Sequence, residues 1–158
     1  MKVRKRHFIK ADNASEVISA LSAYEPEVLH TGSLELAQAK KFKVLLLDGT
    51  PLAMYIEGKP FFTVKGALEL RPRRHLVTVD MGAVKYVING ADIMSPGVVS
   101  ADSDVLPGDL VVVIEEQHNK ALAVGKALIS GVEMVHNRAG KAVRVMHHIG
   151  DEIWNLHT

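Results

Sequence analysis

The sequence contains no cysteine. That excludes a disulfide framework, a thiolate zinc site and a cysteine nucleophile, and it fits a reducing compartment. Long apolar runs are missing too. The cleanest is Leu110–Ile114, far short of the roughly 20 residues a membrane-spanning helix needs. The start, MKVRKRHFIKADN, is basic like a signal-peptide n-region, but only Phe8 and Ile9 precede the next charge. A secretory signal is therefore not expected, and the expected location is cytoplasmic. There are no repeats, no phosphate loop, no dinucleotide fingerprint and no Gly-x-Ser-x-Gly around Ser95, Ser100 or Ser103. Asp109, Asp151 and Glu152 have no nucleophile or base to work with. Adjacent His147 and His148 would face opposite sides of a strand, so they cannot share one ion without distortion, and one of them is expected in the core. No catalytic residue, cofactor or metal site is expected.

What is present is an ordinary globular balance, 47% hydrophobic and 23% charged, in 158 residues, enough for one domain or two compact ones. The net charge of +1 hides an asymmetry. Residues 1–76 carry 13 Lys and Arg against 8 Asp and Glu, and residues 77–158 carry 6 against 10. The basic half has three clusters: Lys2, Arg4, Lys5 and Arg6; Lys40, Lys41 and Lys43; and Arg71, Arg73 and Arg74 around Pro72. Any one is ordinary solvated surface. Three in one half point to a phosphate-facing surface.

The hydrophobic period changes along the chain. Val17, Ile18, Leu21 and Tyr24 sit at helical spacing behind the candidate caps Asp12, Asn13 and Ser15, and a second short helical stretch is expected at 34–39. Residues 42–47, 52–56 and 61–64 read as strands joined at Asp48-Gly49 and at Glu57–Pro60, with a short helix at 67–70. Residues 71–75 read as a linker. This predicts a small α+β domain over 1–75. From residue 76, short strands alternate with turns. Val84, Val87, Ile88 and Ala91 give one apolar face to a short helix at 82–88, stopped by Asn89-Gly90 and capped by Asp80. Leu106-Pro107-Gly108-Asp109 reads as a type II turn, and Gly125 in the strand 121–129 as a bulge or close approach. The second half, 76–158, is expected to be a mostly-β pseudo-barrel.

Several pieces in order carry a resemblance: Val79 through Val98, the Pro107-Gly108-Asp109 turn, Ala123 through Ala127, and Gly140-Lys141-Ala142 followed by His147 through Trp154. Together they resemble the PUA domain, the module of pseudouridine synthases and archaeosine transglycosylases. Gly82 through Val87, Gly90 through Gly97 and the closing Trp154 narrow the resemblance to the malignant-T-cell-amplified-sequence family and its relative ligatin, which pair a PUA domain with a small preceding one. With a shorter amino terminus and no cysteine, the chain looks more like the stand-alone archaeal members.

The resemblance implies a non-enzymatic RNA-binding protein of translation. Its partners would be RNA, as a tRNA acceptor 3′ end or rRNA in initiation or recycling, then the small ribosomal subunit and a translation factor, with no membrane. It puts the RNA surface on Gly82, Ala83, Lys85, Gly90, Ala91, Asp92, Met94, Pro96 and Gly97; the charge asymmetry adds Arg71, Arg73 and Arg74 as the expected source of phosphate attraction. Glycines let a phosphate or ribose approach the backbone, and Lys85 points off the apolar stripe. Tyr86 and Met94 offer apolar surface, but with 5% aromatics no RRM-like stacking platform is available. The same glycines also suit the fold's turns alone. The rival readings are a protein-interaction adaptor, favoured by the acidic second half, and an accessory subunit of an RNA-modification enzyme.

Overall fold

The computed structural model describes residues 1–28 and 32–158. The chain divides into two compact units, Met1–Arg73 with Glu152–Thr158, and Arg74–Asp151. The last seven residues, read with the second half from sequence, group with the first unit.

The first unit is α+β. Its elements are β1 (Arg4–Phe8), α1 (Ala11–Ser22), β2 (Leu34–Ala39), β3 (Phe42–Leu47), β4 (Thr50–Ile56), β5 (Lys59–Phe62) and α2 (Val64–Leu70). The strands form one antiparallel sheet in sequence order. Asp48-Gly49 and Glu57-Gly58 both hold two consecutive positive φ angles, the backbone that matches a tight hairpin to strand twist. Two local expectations fail here, and one strand, β1, is not expected at all. Leu34–Ala39 is a strand, not a helix: it pairs residue for residue with β3, from Leu34 opposite Leu47 to Ala39 opposite Phe42, and that pairing overrides the helix propensity of its alanines. Helix α1 starts earlier than Asp12, Asn13 or Ser15 could cap; its N-cap is Lys10, with no side-chain bond. Strand β1 carries no sequence signal because its residues are exposed and mostly charged, as an edge strand that resists pairing often is. Arg6 on it donates to both oxygens of the buried Glu35, at 3.2 and 2.9 Å. That bond raises the Arg6 guanidinium further above its already high value. Tyr24 stands edge-on to Phe61 and Phe62, with centroids at 5.0 and 5.9 Å.

The second unit is a barrel of β6 (Leu76–Val79), α3 (Val84–Val87), β7 (Ile93–Met94), β8 (Val98–Ala101), β9 (Leu110–Glu115), β10 (Ala121–Ala127), α4 (Gly131–His136) and β11 (Lys141–His148). Strand order is β7-β11-β10-β9-β6-β8. Only the β6–β9 pairing is parallel; the others are antiparallel. The edge strands β7 and β8 are joined by a single 3-10 turn, Ser95–Gly97, which brings the two open edges together and nearly closes the sheet. Val77, Val79, Val111, Val113, Ala123 and Val143 fill the inside, with Met134 from α4. Gly125 is a close approach: a Cβ there would lie 2.3 Å from the Arg144 carbonyl oxygen. The Leu106–Asp109 turn has Gly108 at φ +93 and the Asp109 N–H on the Leu106 carbonyl at 3.0 Å. The buried His147 has Nδ1 at 2.9 Å from both carboxylate oxygens of Asp151. Helix α4 is an addition to the expected elements, and Ser130 and Glu133 form a full capping box at its start. Among the described residues no helix is long and apolar enough to cross a membrane.

Candidate nucleic-acid interface

The segment between β6 and β8 folds into a lip around a hollow. Asp80 ends β6 and turns its carboxylate onto the Ala83 N–H at 2.9 Å, which tightens Met81–Ala83 into a 3-10 turn before α3. The expected helix over 82–88 is therefore shorter, and only Val87 of its apolar stripe is fully buried. Ile88, placed by its spacing on the apolar face of that helix, is 36% exposed, since the helix ends at Val87 and the chain leaves through Gly90 at φ +92. The Asp80 N–H reaches across to the Gly97 carbonyl at 3.0 Å, tying the 3-10 turn before α3 to the one joining β7 to β8.

These contacts enclose a pocket of about 580 Å³. Seven of the sequence-predicted residues line it: Gly82, Ala83, Ala91, Asp92, Met94, Pro96 and Gly97. Lys85 and Gly90 are not on its wall. Lys85 is exposed, with its ammonium 5.1 Å from the Tyr86 ring centroid. Gly90 serves the helix stop, and a Cβ there would come within 3.0 Å of His148 Nε2. The three arginines are committed elsewhere. Arg71 occupies a left-handed cap after α2 and pairs with Glu27 at 3.1 Å. Arg73 donates to the Glu25 carbonyl at 3.0 Å, and Arg74 pairs with Asp104.

The glycines of the lip divide by cause. Gly90 needs a positive φ that other residues adopt at a cost. Gly82 and Gly97 do not have one. A Cβ on Gly97 would meet only the Ala83 Cβ, at an ordinary 3.6 Å, and one on Gly82 only the tip of Asp80, at 3.2 Å. At Gly97 neither backbone geometry nor tight packing demands glycine, whereas a side chain at Gly82 would press on the Asp80 oxygen that caps the Ala83 N–H. The missing side chains widen the pocket mouth and bare its backbone.

The pocket is lined by two carboxylates, Asp80 and Asp92, and one ammonium, Lys141. Asp92 accepts the Val145 N–H at 3.0 Å and the Lys141 ammonium at 3.1 Å. Desolvation pushes its carboxyl up, but the Val145 N–H, the Lys141 ammonium and the charge of Arg144 together outweigh it, so the group lies below the ordinary aspartate value. The carboxylate is thus turned toward β11, leaving the half-exposed Tyr86 and Met94 to present apolar surface at the rim. Lys141 joins the site without having been expected there, although it stands in the Gly140-Lys141-Ala142 piece. Its place opposite Met94 comes from the β7–β11 pairing, a long-range contact that no local pattern signals. Among the described residues no cluster of three metal-ligating side chains occurs.

The barrel and its lip are those of a PUA domain, whose family description matches residues 75–149, while residues 5–68 match the Domain of unknown function (DUF1947). An uncharacterised protein of Methanocaldococcus jannaschii is 37% identical, with 99% of each chain covered. A conserved PUA domain protein from Thermoplasma acidophilum has the same architecture, with a TM-score of 0.84, 31% identity, and 96% of this chain and 98% of that one covered. The chain belongs to this family of stand-alone archaeal PUA proteins. It is also similar to Translation machinery-associated protein 20 of Saccharomyces cerevisiae, 39% identical over 86 residues. That match covers 51% of this chain and 48% of the yeast protein. The Malignant T-cell-amplified sequence 1 homolog of Drosophila melanogaster is 33% identical over 79 residues, 48% of this chain and 43% of that protein.

Proposed function

We propose that this is a non-enzymatic, cytoplasmic RNA-binding protein of the translation apparatus, and that the pocket beside α3 holds a single-stranded RNA end, a tRNA 3′ terminus or an rRNA segment. The observation that carries the reading is Gly97: a glycine that neither a positive φ nor a close neighbour demands, on the lip of a pocket with an apolar rim. Unstacked bases are recognised where they can lie on apolar surface and reach backbone groups with their edges. A bare backbone beside Tyr86 and Met94 supplies both. The named relatives, a translation machinery-associated protein above all, point to the same cellular setting.

The test closes the pocket without touching charge. Gly97→Leu is expected to weaken binding of a labelled tRNA by on the order of 100-fold, since it displaces bases whose stacking is worth about 1–3 kcal/mol each. Its circular dichroism should stay that of the parent. Lys85→Glu, which reverses the charge beside Tyr86, is expected to weaken binding by on the order of 10-fold. If folded Gly97→Leu binds tRNA as the parent does, RNA does not use this pocket. The adaptor reading then gains, because the second unit carries 7 Lys and Arg against 9 Asp and Glu.

A further inference from the structure

A second concave surface lies on the sheet of the first unit, and Lys41 and Lys43 of the second basic cluster border it. It has two parts. One, of about 410 Å³, has Val17 and Ala20 of α1 on one side and Leu36, Leu45 and Tyr55 of the sheet on the other. The other, of about 540 Å³, has no residue of α1 on it and is bordered by Leu36, Lys41, Lys43, Tyr55 and Gly58. Leu36, Tyr55 and Gly58 border both parts, so the groove is continuous.

Strand register explains how this surface is laid out. Gln38 pairs with Lys43 and Tyr55 with Pro60, while Val44 opposite Met54 brings Lys43 beside Tyr55. Directly paired residues share a face. Gln38, Lys43, Tyr55 and Pro60 therefore form one row across four strands. The row has an aromatic ring in its middle, an amide and a lysine on one side and a proline on the other. Lys41 joins it from the β2–β3 turn.

Its chemistry is that of an unfilled contact for an anion joined to a flat group. Tyr55 is half-buried and Lys43 is exposed. Among the described residues neither has a hydrogen-bond or ion-pair partner, and Lys41 holds its ammonium 5.4 Å from the Phe42 ring centroid. The one acid on the groove, Glu16, lines the helix side and not the part with the lysines. The first unit as a whole carries 12 Lys and Arg against 9 Asp and Glu. A peptide added as an extra strand would need a sheet edge, and this surface is a face. Stacking on an aromatic ring with cations tracking the backbone is how single-stranded nucleic acid is held without sequence preference.

We propose that this groove is a second single-stranded RNA contact, in which one base lies on Tyr55 and the neighbouring phosphates lie on Lys41 and Lys43. It rests on the reading that the protein binds RNA, but not on which RNA end the pocket beside α3 takes. The test uses the whole chain and anisotropy of a short labelled oligouridylate over a range of salt. Tyr55→Leu is expected to weaken binding on the order of 10-fold, and Tyr55→Phe, which keeps the ring, to bind as the parent does. Lys41→Gln with Lys43→Gln is expected to lower the slope of log affinity against log salt by about 1.4, because each lysine that neutralises a phosphate of a single strand adds about 0.7 to it. An oligouridylate carrying 5-iodouridine is expected to crosslink within the tryptic peptide that holds Tyr55. If Tyr55→Leu does not fold, the lysine pair and the crosslink decide. Unchanged affinity and slope in these variants, with Gly97→Leu still defective, would overturn this site and leave the proposed function standing. Absence of RNA binding by the parent would overturn both. Polyglutamate competing as well as oligouridylate would overturn the RNA assignment in favour of an acidic protein partner.

Discussion

The two units present their candidate contact surfaces by opposite means. The first is net basic and offers side chains: lysines and a tyrosine on a sheet face. The second is net acidic and offers absent side chains: Gly82, Ala83, Ala91 and Gly97 around a pocket whose one lysine is held by Asp92. Attraction for a phosphate backbone is long-ranged and indifferent to sequence, whereas selection of a chain end needs close fit. On the proposed reading, placing the two on different folds means that the pocket need not supply the phosphate attraction itself. The acidic balance of the second half, which from sequence argued against RNA there, is then no obstacle.

The comparison breaks first if the pocket's small residues prove to be structural. Gly125→Val, inside the barrel, would drive atoms into the Arg144 carbonyl and the Val143 side chain. It is expected to destabilise the second unit by about 3 kcal/mol, the upper range for overpacking. Gly97→Ala meets only the Ala83 methyl, and is expected to change stability by less than about 0.5 kcal/mol. Urea unfolding of the two variants followed by circular dichroism measures both. A Gly97→Ala loss near that of Gly125→Val would mean that the fold, and not a ligand, demands the glycine.

A smaller effect is expected at the junction. Arg71, Arg73 and Arg74 already have protein partners in Glu27, the Glu25 carbonyl and Asp104, so a phosphate must compete for each. Replacing all three by alanine is expected to lower the salt slope by up to about 2 if each meets one phosphate, with the preference for a 3′ end intact. A full drop of about 2 would show that the arginines leave their partners on binding. No drop would assign the basic attraction to other residues of the first unit.

Much of this is legible where the signal is local. The hairpin turn at Asp48-Gly49, the turn at Leu106–Asp109, the cap at Asp80 and the stop at Gly90 all follow from residues a few positions apart. Seven of the pocket residues come instead from the resemblance to the PUA domain, whose motif here is one continuous stretch from Gly82 to Gly97. What fails depends on partners distant in sequence. Leu34–Ala39 alternates weakly enough to read as helix until β3 is beside it. Ile88 fits the apolar stripe but falls just past the last helical residue. The role of Lys141 follows from pairing with β7, and the grouping of residues 152–158 with the first unit has no local sign. Helix α4 is the exception: its signal is local, since Ser130 and Glu133 have capping-box spacing, but the helix is too short for its apolar period to stand out.

The smallest effect concerns the carboxylate that keeps the pocket's charge in hand. Asp92 sits below its ordinary value because the Val145 N–H, Lys141 and Arg144 outweigh its desolvation. In the unfolded chain an aspartate titrates at about 3.9. A depressed folded value means that the native state holds its ionised form more firmly, so this stabilisation is complete above about pH 4 and is lost as pH falls through the lower folded value. Asp104, lowered by the Arg74 hydrogen bond against some desolvation, acts in the same direction. Asp92→Asn keeps an acceptor for the Val145 N–H but loses the ionic bond to Lys141. It is expected to be less stable than the parent by about 1 kcal/mol at neutral pH, since the pair is partly exposed. The gap should shrink as pH falls from about 4 and close once pH has passed the lower folded value, where the parent's own native carboxylate takes up a proton. Urea midpoints of both proteins at neutral and acid pH measure this. A gap that persists unchanged in acid would mean that Asp92 acts through shape and hydrogen bonding alone. The freed Lys141 ammonium gives the same variant a second reading, in RNA affinity. With the acid gone, a steeper salt slope would show that the ion pair restrains phosphate attraction at the pocket, and an unchanged slope that Lys141 is out of a phosphate's reach.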